Sequence, residues 1–344
     1  MNISPILEKI DNIGEITKPV AVFGDYCLDK YLFIDPERDE PSLETGLTAY
    51  QVYSVKCYPG AAGTICNNLR ALGAPVECIG YFGSDGEGYD LVKALQDIGA
   101  DTSLMVKTED MQTCCYIKPM RGNGDGTDTE LNRLDIRDFR APAREVEDAL
   151  IENLKTAAEN ASAVLILDQF MQRDIGIMTG RVRTAVNEIA KQYGERGVLF
   201  FVDSRYHADE FRNMTVKCNN FEFMSLGSFP EGNPESEEEI KKRAGILNVQ
   251  TGNTYFITRG SRGITAVDGN EATEVEAFHV EGPTDIVGAG DAASAGIVLG
   301  LILGMTRAEA AKFACAVSSI TIQQIGCTGT ASAQQVKDRL TGRN

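Results

Sequence analysis

The stretch TDIVGAGDAASAGIVLG, Thr284 to Gly300, decides the reading of this chain: a glycine-alanine-glycine turn runs into an acid and then into small and apolar residues. The pattern predicts a helix that begins on bare backbone. N–H groups of a first helical turn lack intrahelical partners, and with the positive end of the helix dipole they attract a phosphate or a developing oxyanion. Gly288 and Gly290 carry no Cβ, which lets an anion come close to the peptide groups around Ala289. Asp291 is the odd residue, because a carboxylate there repels the anion its neighbours attract. Its placement makes sense for a base that takes the proton of a hydroxyl attacking a phosphoryl group. An N-terminal acid that only complements the helix dipole fits the same residues.

Gly288, Gly290 and Ala293 also satisfy the G-x-G-x-x-A dinucleotide fingerprint, but that motif belongs to a first strand-turn-helix unit. Here it lies late in the chain and follows GPTDI, which does not read as a buried strand, so the fingerprint is discounted.

The 344 residues fit one large α/β domain or two small ones, and 43% hydrophobic residues suffice for a substantial core. Apolar runs such as Ala163 to Leu167 are too short to span a bilayer, and the N-terminus lacks a basic-then-apolar leader. A cytoplasmic protein is the expectation. Nine cysteines without a C-x-x-C pair suit buried thiols rather than a disulfide framework or a structural metal. A net charge of −17 argues against nucleic-acid or anionic-membrane partners.

Along the chain, Ile6, Leu7, Ile10, Ile13 and Ile16 predict an opening helix, and Val20 to Phe23 a buried strand followed by Asp25 and Asp29. Acids outside the carboxyl end of a strand could hold sugar hydroxyls, or form a solvated Asx turn. Short alternating segments between Tyr31 and Tyr58 read as strands leaving the main sheet, a lid or interaction flap. PGAAGTICNNLRALGA gives a second glycine-rich helix start, with Ile65, Leu69 and Leu72 on one face and a stop at Gly73. Beyond it the pattern predicts a strand Val76 to Phe82, a turn GSDGEG, a helix Tyr89 to Ile98, and a mobile hydrophilic turn at Arg121 to Glu130. From Glu145 a regular order follows: helix Val146 to Ala158, strand to Asp168, helix Ile175 to Tyr193, strand to Asp203, and a strand near Val216. These are βαβ units of a parallel sheet. Strand Thr254 to Thr258, the turn RGSRG, and an apolar helix around Phe313 to Ile322 complete the pass. One α/β domain over residues 1–344 with a small strand-rich insertion is expected.

Other chemistries are missing from the sequence. It holds no G-x-x-x-x-G-K-[ST] loop and no G-x-S-x-G elbow, and its two histidines, His207 and His279, have no ligand-spaced neighbours. An enzyme so poor in histidine must use carboxylates, which points again to Asp291.

GDYCLD, PGAAGTICNNLRALGA, NNFE, TRGSRG and DIVGAGD, in this order from about Val20 to Ala331, resemble the ribokinase-like (PfkB) carbohydrate kinases. Within that family the chain is most similar to the branch that phosphorylates D-glycero-D-manno-heptose 7-phosphate, through GDYCLDKY, NRLDIRDF and VDSR. Those kinases are often fused to a nucleotidyltransferase domain, for which the reading leaves no residues. The resemblance implies a three-layer α/β/α sandwich with a mostly parallel central sheet. A small β lid would come from about 30–58 and 105–135 and form a homodimer contact. It implies Asp291 as base, the backbone of Gly288, Ala289 and Gly290 as anion hole, and Asn219 and Glu222 organising Mg2+ and the ATP phosphates. It further implies Thr258, Gly260 and Gly263 in the nucleotide loop, and Asp29, Gly60 and Thr64 at the sugar. Asp168 and Arg205 are further substrate contacts, and Asp285 with the 326–330 turn matches the place where many members hold a monovalent cation such as K+. The chain departs from the family's GG-x-x-x-N pattern, with Ala61 and Thr64 in place of the second glycine and the asparagine. A lost amide changes which hydroxyls can be bonded.

The resemblance favours an ATP-dependent kinase acting on a sugar or sugar phosphate. A catalytically silent relative that binds a sugar or nucleotide is the alternative, and a nicotinamide dehydrogenase survives only through the discounted fingerprint. Arg205, with Lys118 and Arg133 bordering the lid, suggests a substrate that already bears a phosphate. Ordinary surface ion pairs are the competing explanation for the three.

Overall fold

The computed structural model describes residues 2–230, 232–233, 236–269 and 271–343. Its centre is an eight-stranded sheet in the order Glu271–Val275, Ile264–Asp268, Thr254–Thr258, Thr215–Asn219, Leu199–Ser204, Ala163–Asp168, Val20–Gly24, Val76–Ile79. All neighbours run parallel except the hairpin formed by the first two, which joins antiparallel at the Thr254–Thr258 edge. Strands such as VAVFG, and AVLILD up to its terminal Asp168, are apolar because both faces are covered. Alternation sends Val20 and Val22 into one core and Ala21 and Phe23 into the other. Helices Ala62–Leu72, Ala289–Ile302 and Arg307–Thr321 cover the first face. Arg144–Asn160, Gly180–Gly194 and Glu237–Thr251 cover the second. The result is the expected three-layer sandwich, and Gly24, Asp168, Ser204, Asn219 and Thr258 all end at one edge of it.

A second sheet stands off that edge. Tyr26–Ile34 pairs antiparallel with Val52–Ala61 and parallel with Cys114–Gly122, to which Asp128–Glu130 and Leu134–Ile136 add antiparallel. It begins at Tyr26, so Asp29 lies within a strand of this second sheet, the expected lid, and is buried, not in a solvated loop after the first strand.

Several local expectations are corrected. The run Val76 to Phe82 divides at Gly80 into two strands of different sheets, and a Cβ there would meet the Tyr26 ring at 2.4 Å. GSDGEG already contains the first turn of helix Gly86–Asp97, capped by the Asp85 carboxylate, which accepts from Gly88 N–H at 2.7 Å. The hydrophilic turn expected at Arg121 to Glu130 is there, as the tip of a hairpin whose ends pair Arg121 with Thr129 and Gly122 with Asp128. The helix expected from Ile175 starts at Gly180, because the Asp25 carboxylate accepts the N–H of Ile177 at 2.7 Å and draws that segment toward the sheet. The hairpin Ile264–Val275 and the helix Ala333–Thr341 were not foreseen. All nine cysteines are free thiols, six buried and three half-buried. Among the described residues no helix is long and apolar enough to cross a membrane.

Candidate active site

Gly288 takes the left-handed conformation (φ 78°) as the cap of helix Ala289–Ile302, a turn that an L side chain would strain. Ala292 is the first residue to close a helical bond, onto the Gly288 carbonyl at 2.9 Å. The Ala289 N–H is engaged by Ile286 O at 3.1 Å, so of the peptide groups expected to face an anion this one is already bonded within the turn.

Asp291 is half-buried, and its pKa is pushed up to about 7. Burial is the main cause, followed by the neighbouring Asp203 carboxylate; Lys217 and Arg205 oppose the rise, and Asp29 of the lid adds to it. A carboxyl so placed ionises near neutrality, where a general base works best. Asp203 is buried at the end of its strand, and its Oδ2 accepts from Lys217 Nζ at 2.9 Å and from Ser294 Oγ at 2.7 Å. Asp203 and Lys217 are direct partners on adjacent parallel strands, and Ser294 lies one turn beyond Asp291, so the three tie two strands to the helix.

Asn219 and Glu222 form a reciprocal cap: Asn219 Oδ1 accepts Glu222 N–H at 2.8 Å and Glu222 Oε2 accepts Asn219 N–H at 2.7 Å. The NNFE spacing is therefore also the start signal of helix Asn220–Ser225. The pKa of Glu222 is raised by burial, against the Asn219 N–H and Lys217; Asp203 and Arg205 act on it as well, so it shares Asp291's charged surroundings. Thr258 is the cross-strand neighbour of Asn219, and its hydroxyl reaches Cys218 O at 3.4 Å. The turn Gly260–Arg262 follows, closed by Arg259 N–H on Gly263 O at 2.8 Å, so the residues assigned to the nucleotide lie side by side. A single carboxylate with one oxygen already bonded suits a hydrated divalent cation held largely by phosphates and water. Among the described residues no group of three or more His, Cys, Asp or Glu could cage a metal.

On the lid side, Asp29 pairs with Lys118 at 3.1 Å. A Cβ on Gly60 would lie 2.8 Å from Asp29 Oδ2, so a side chain there must displace that carboxylate. Ala61, next to it, has φ 52° and ψ −118°, a conformation normally left to glycine. Thr64 is buried, its hydroxyl on Pro59 O at 3.4 Å, and its methyl faces Gly288. Asp168 is buried and turned inward, accepting Ser204 Oγ at 2.9 Å and facing Arg183 at 3.5 Å. Asp285 braces two loops by accepting Val287 N–H at 3.0 Å and Gly326 N–H at 3.2 Å.

The structure does not support the expected convergence of three bases on one mouth. Lys118 is neutralised by Asp29, and Arg133 is held by both oxygens of Asp135, at 2.6 and 2.8 Å. Arg205 is exposed, and its charge is felt at Asp291 and Glu222. Lys217 and Ser294 were missed altogether. The available signal was a lysine two residues before Asn219, on the same face of a strand with no need of a cation.

A model described as pfkB family carbohydrate kinase matches residues 20–334. The bifunctional protein HldE of Gluconobacter oxydans is 24% identical over 324 residues, which cover 93% of this chain and 64% of the relative. The chain thus spans under two thirds of the length of the curated relatives it matches. A ribokinase of Arabidopsis thaliana, complexed with ribose and ATP, superposes with a TM-score of 0.69 at 17% identity, covering 94% of this chain and 99% of the other. Phosphofructokinase-2 from Escherichia coli in complex with potassium gives 0.74 at 17% identity, with 94% and 98% covered. These likenesses show a ribokinase-like fold.

Proposed function

Because the chain belongs to the pfkB family of carbohydrate kinases, we propose that it transfers the γ-phosphoryl group of ATP to a hydroxyl of a sugar phosphate, with Asp291 as the base. The observation that carries this is the Asp291 carboxylate at a helix N-terminus, its pKa near 7, within the field of Asp29 from the lid. In the reaction the sugar oxygen forms a bond to the γ-phosphorus as its proton passes to Asp291. The bond from that phosphorus to the bridging oxygen breaks, leaving the electron pair on ADP. The N–H groups of Gly290 and Asp291 receive the charge on the transferring group. Asn219 and Glu222 are the residues to hold magnesium, which when bound neutralises charge on the phosphates. Asp29, above Gly60, orients the acceptor sugar, and Arg205 grips its existing phosphate.

Similarity to the HldE proteins and the motifs GDYCLDKY and VDSR make a heptose phosphate the first candidate substrate. The loops braced by Asp285 are the place for a monovalent cation, K+ foremost. The exposed Val52, Tyr53 and Val55 of the lid favour a homodimer through that sheet, to be tested by sedimentation. The deciding experiment is ADP release with magnesium-ATP over a panel of free and phosphorylated sugars, wild type against Asp291→Asn. Nucleotide binding without turnover on any sugar would favour the silent-relative alternative instead.

A further inference from the structure

We propose that Lys217 is a catalytic residue of this kinase, its ammonium neutralising the transferring phosphoryl group from beneath the first turn of helix Ala289–Ile302. The inference rests on the kinase reading above and adds to it a cation that the sequence motifs do not name.

Three observations carry it. The first is position: strand alternation puts Lys217 on the face of Asn219, and a Cβ built on Gly290 would lie 3.0 Å from Lys217 Nζ. The ammonium therefore lies against the peptide groups that would receive an anion. The second is electrostatic. A helix N-terminus is a positive pole and cations weaken it, so a lysine that is 6% exposed is badly placed there unless an anion joins it. Asp203 answers for one positive charge but not for the dipole as well. The third is the count of donors. An ammonium has three N–H groups, and among the described residues Asp203 is its hydrogen-bond partner, at 2.9 Å. The others remain for the anion.

The phosphoryl group moves as already described, from the ADP oxygen to the sugar oxygen with the proton on Asp291, and Lys217 keeps its proton throughout. Its contribution is largest when charge gathers on the equatorial oxygens, so it favours the transition state over bound ATP. Asp203 is a positioning residue: it fixes the ammonium and is itself fixed by Ser294 at 2.7 Å.

A buried lysine could instead serve only to neutralise Asp203, and the test separates the two roles. Lys217→Met alone leaves a buried carboxylate unpaired, whereas Lys217→Met with Asp203→Asn removes both charges, a change that buried pairs tolerate. Two readouts are taken: kcat, and calorimetric affinity for ADP-magnesium with and without aluminium fluoride as the phosphoryl mimic. Both variants should lose about 10²-fold or more in kcat, the usual effect of removing one charge-stabilising donor. Both should keep the wild-type affinity for ADP-magnesium and lose about tenfold or more of the gain from aluminium fluoride. Recovery of wild-type kcat in the neutral double variant, or an undiminished aluminium fluoride gain in it, overturns the proposal. Failure of the kinase reading looks different: wild-type protein transfers phosphate to no sugar and gains nothing from aluminium fluoride, and the role of Lys217 falls with it.

Discussion

Replacing Ala61 by glycine should stabilise this protein, the reverse of the usual sign. With φ 52° and ψ −118°, Ala61 lies outside the left-handed basin that an L-residue tolerates, where ψ is near +47°. It is held there from both sides. Its Cα is in register with Tyr26 of the lid, and the N–H of Ala62 donates to the Asp25 carbonyl at 3.0 Å. Such conformations cost about 1–3 kcal/mol for a residue with a Cβ. Glycine removes that strain and is better than alanine at a helix N-cap by some tenths of a kcal/mol. Against this, glycine loosens the unfolded chain by about 0.4–1 kcal/mol. The balance is about 0.5–2 kcal/mol in favour of Ala61→Gly. For a chain of this length that is about 1–3 °C in Tm, so urea midpoints are the better measure. Ala141→Gly is the control, since Ala141 is exposed and is not among the positive-φ residues; it should shift the midpoint down. If Ala61→Gly lowers the midpoint as the control does, the strain argument is refuted.

The remaining expectations concern the site. Asp291→Asn should bind ADP as the wild type does and lose about 10²–10⁴-fold in kcat, the size of a general-base contribution. In the wild type the base form of Asp291 is lost as pH falls through about 7, so kcat/KM should drop tenfold per unit below that limb; a flat profile from pH 6 to 8 would contradict the assignment. Glu222→Gln should raise the magnesium concentration for half-maximal rate while leaving Tm nearly unchanged, because glutamine can complete the same cap. Gly60→Ala pushes on Asp29 and should raise the sugar KM about tenfold or more, the worth of a charged hydrogen bond, with ATP KM unaltered. Arg205→Ala should raise KM about tenfold for a phosphorylated sugar alone; equal effects on ATP would remove it from the sugar side.

Much of the architecture is legible in the sequence, because helices and strands repeat every few residues. VAVFG and AVLILD announce strands covered on both faces, and GAGD followed by small residues announces a helix that begins on open backbone. Asp291, Asn219 and Glu222 are legible for the same reason: each belongs to a short motif whose geometry is local. Even so, the sequence left the cap formed by Asn219 and Glu222 unread, since the spacing suits a metal site and a helix start equally well.

What the tertiary structure decided are the pairings that cross the chain. Lys217 meets Asp203 across 14 residues, Ser294 meets Asp203 across 91, and Asp25 holds Gln169 across 144. No periodicity encodes these, because they depend on strand order and register. Lys118 and Arg133 show the same limit from the other side: their charges could be read, but their neutralisation by Asp29 and Asp135 could not. The strain at Ala61 is likewise invisible in an alanine, for it arises where the lid strand and helix Ala62–Leu72 fix the backbone between them. The sequence by itself determined the layers and the carboxylate proposed as base; packing determined which charges surround that carboxylate, and so its pKa.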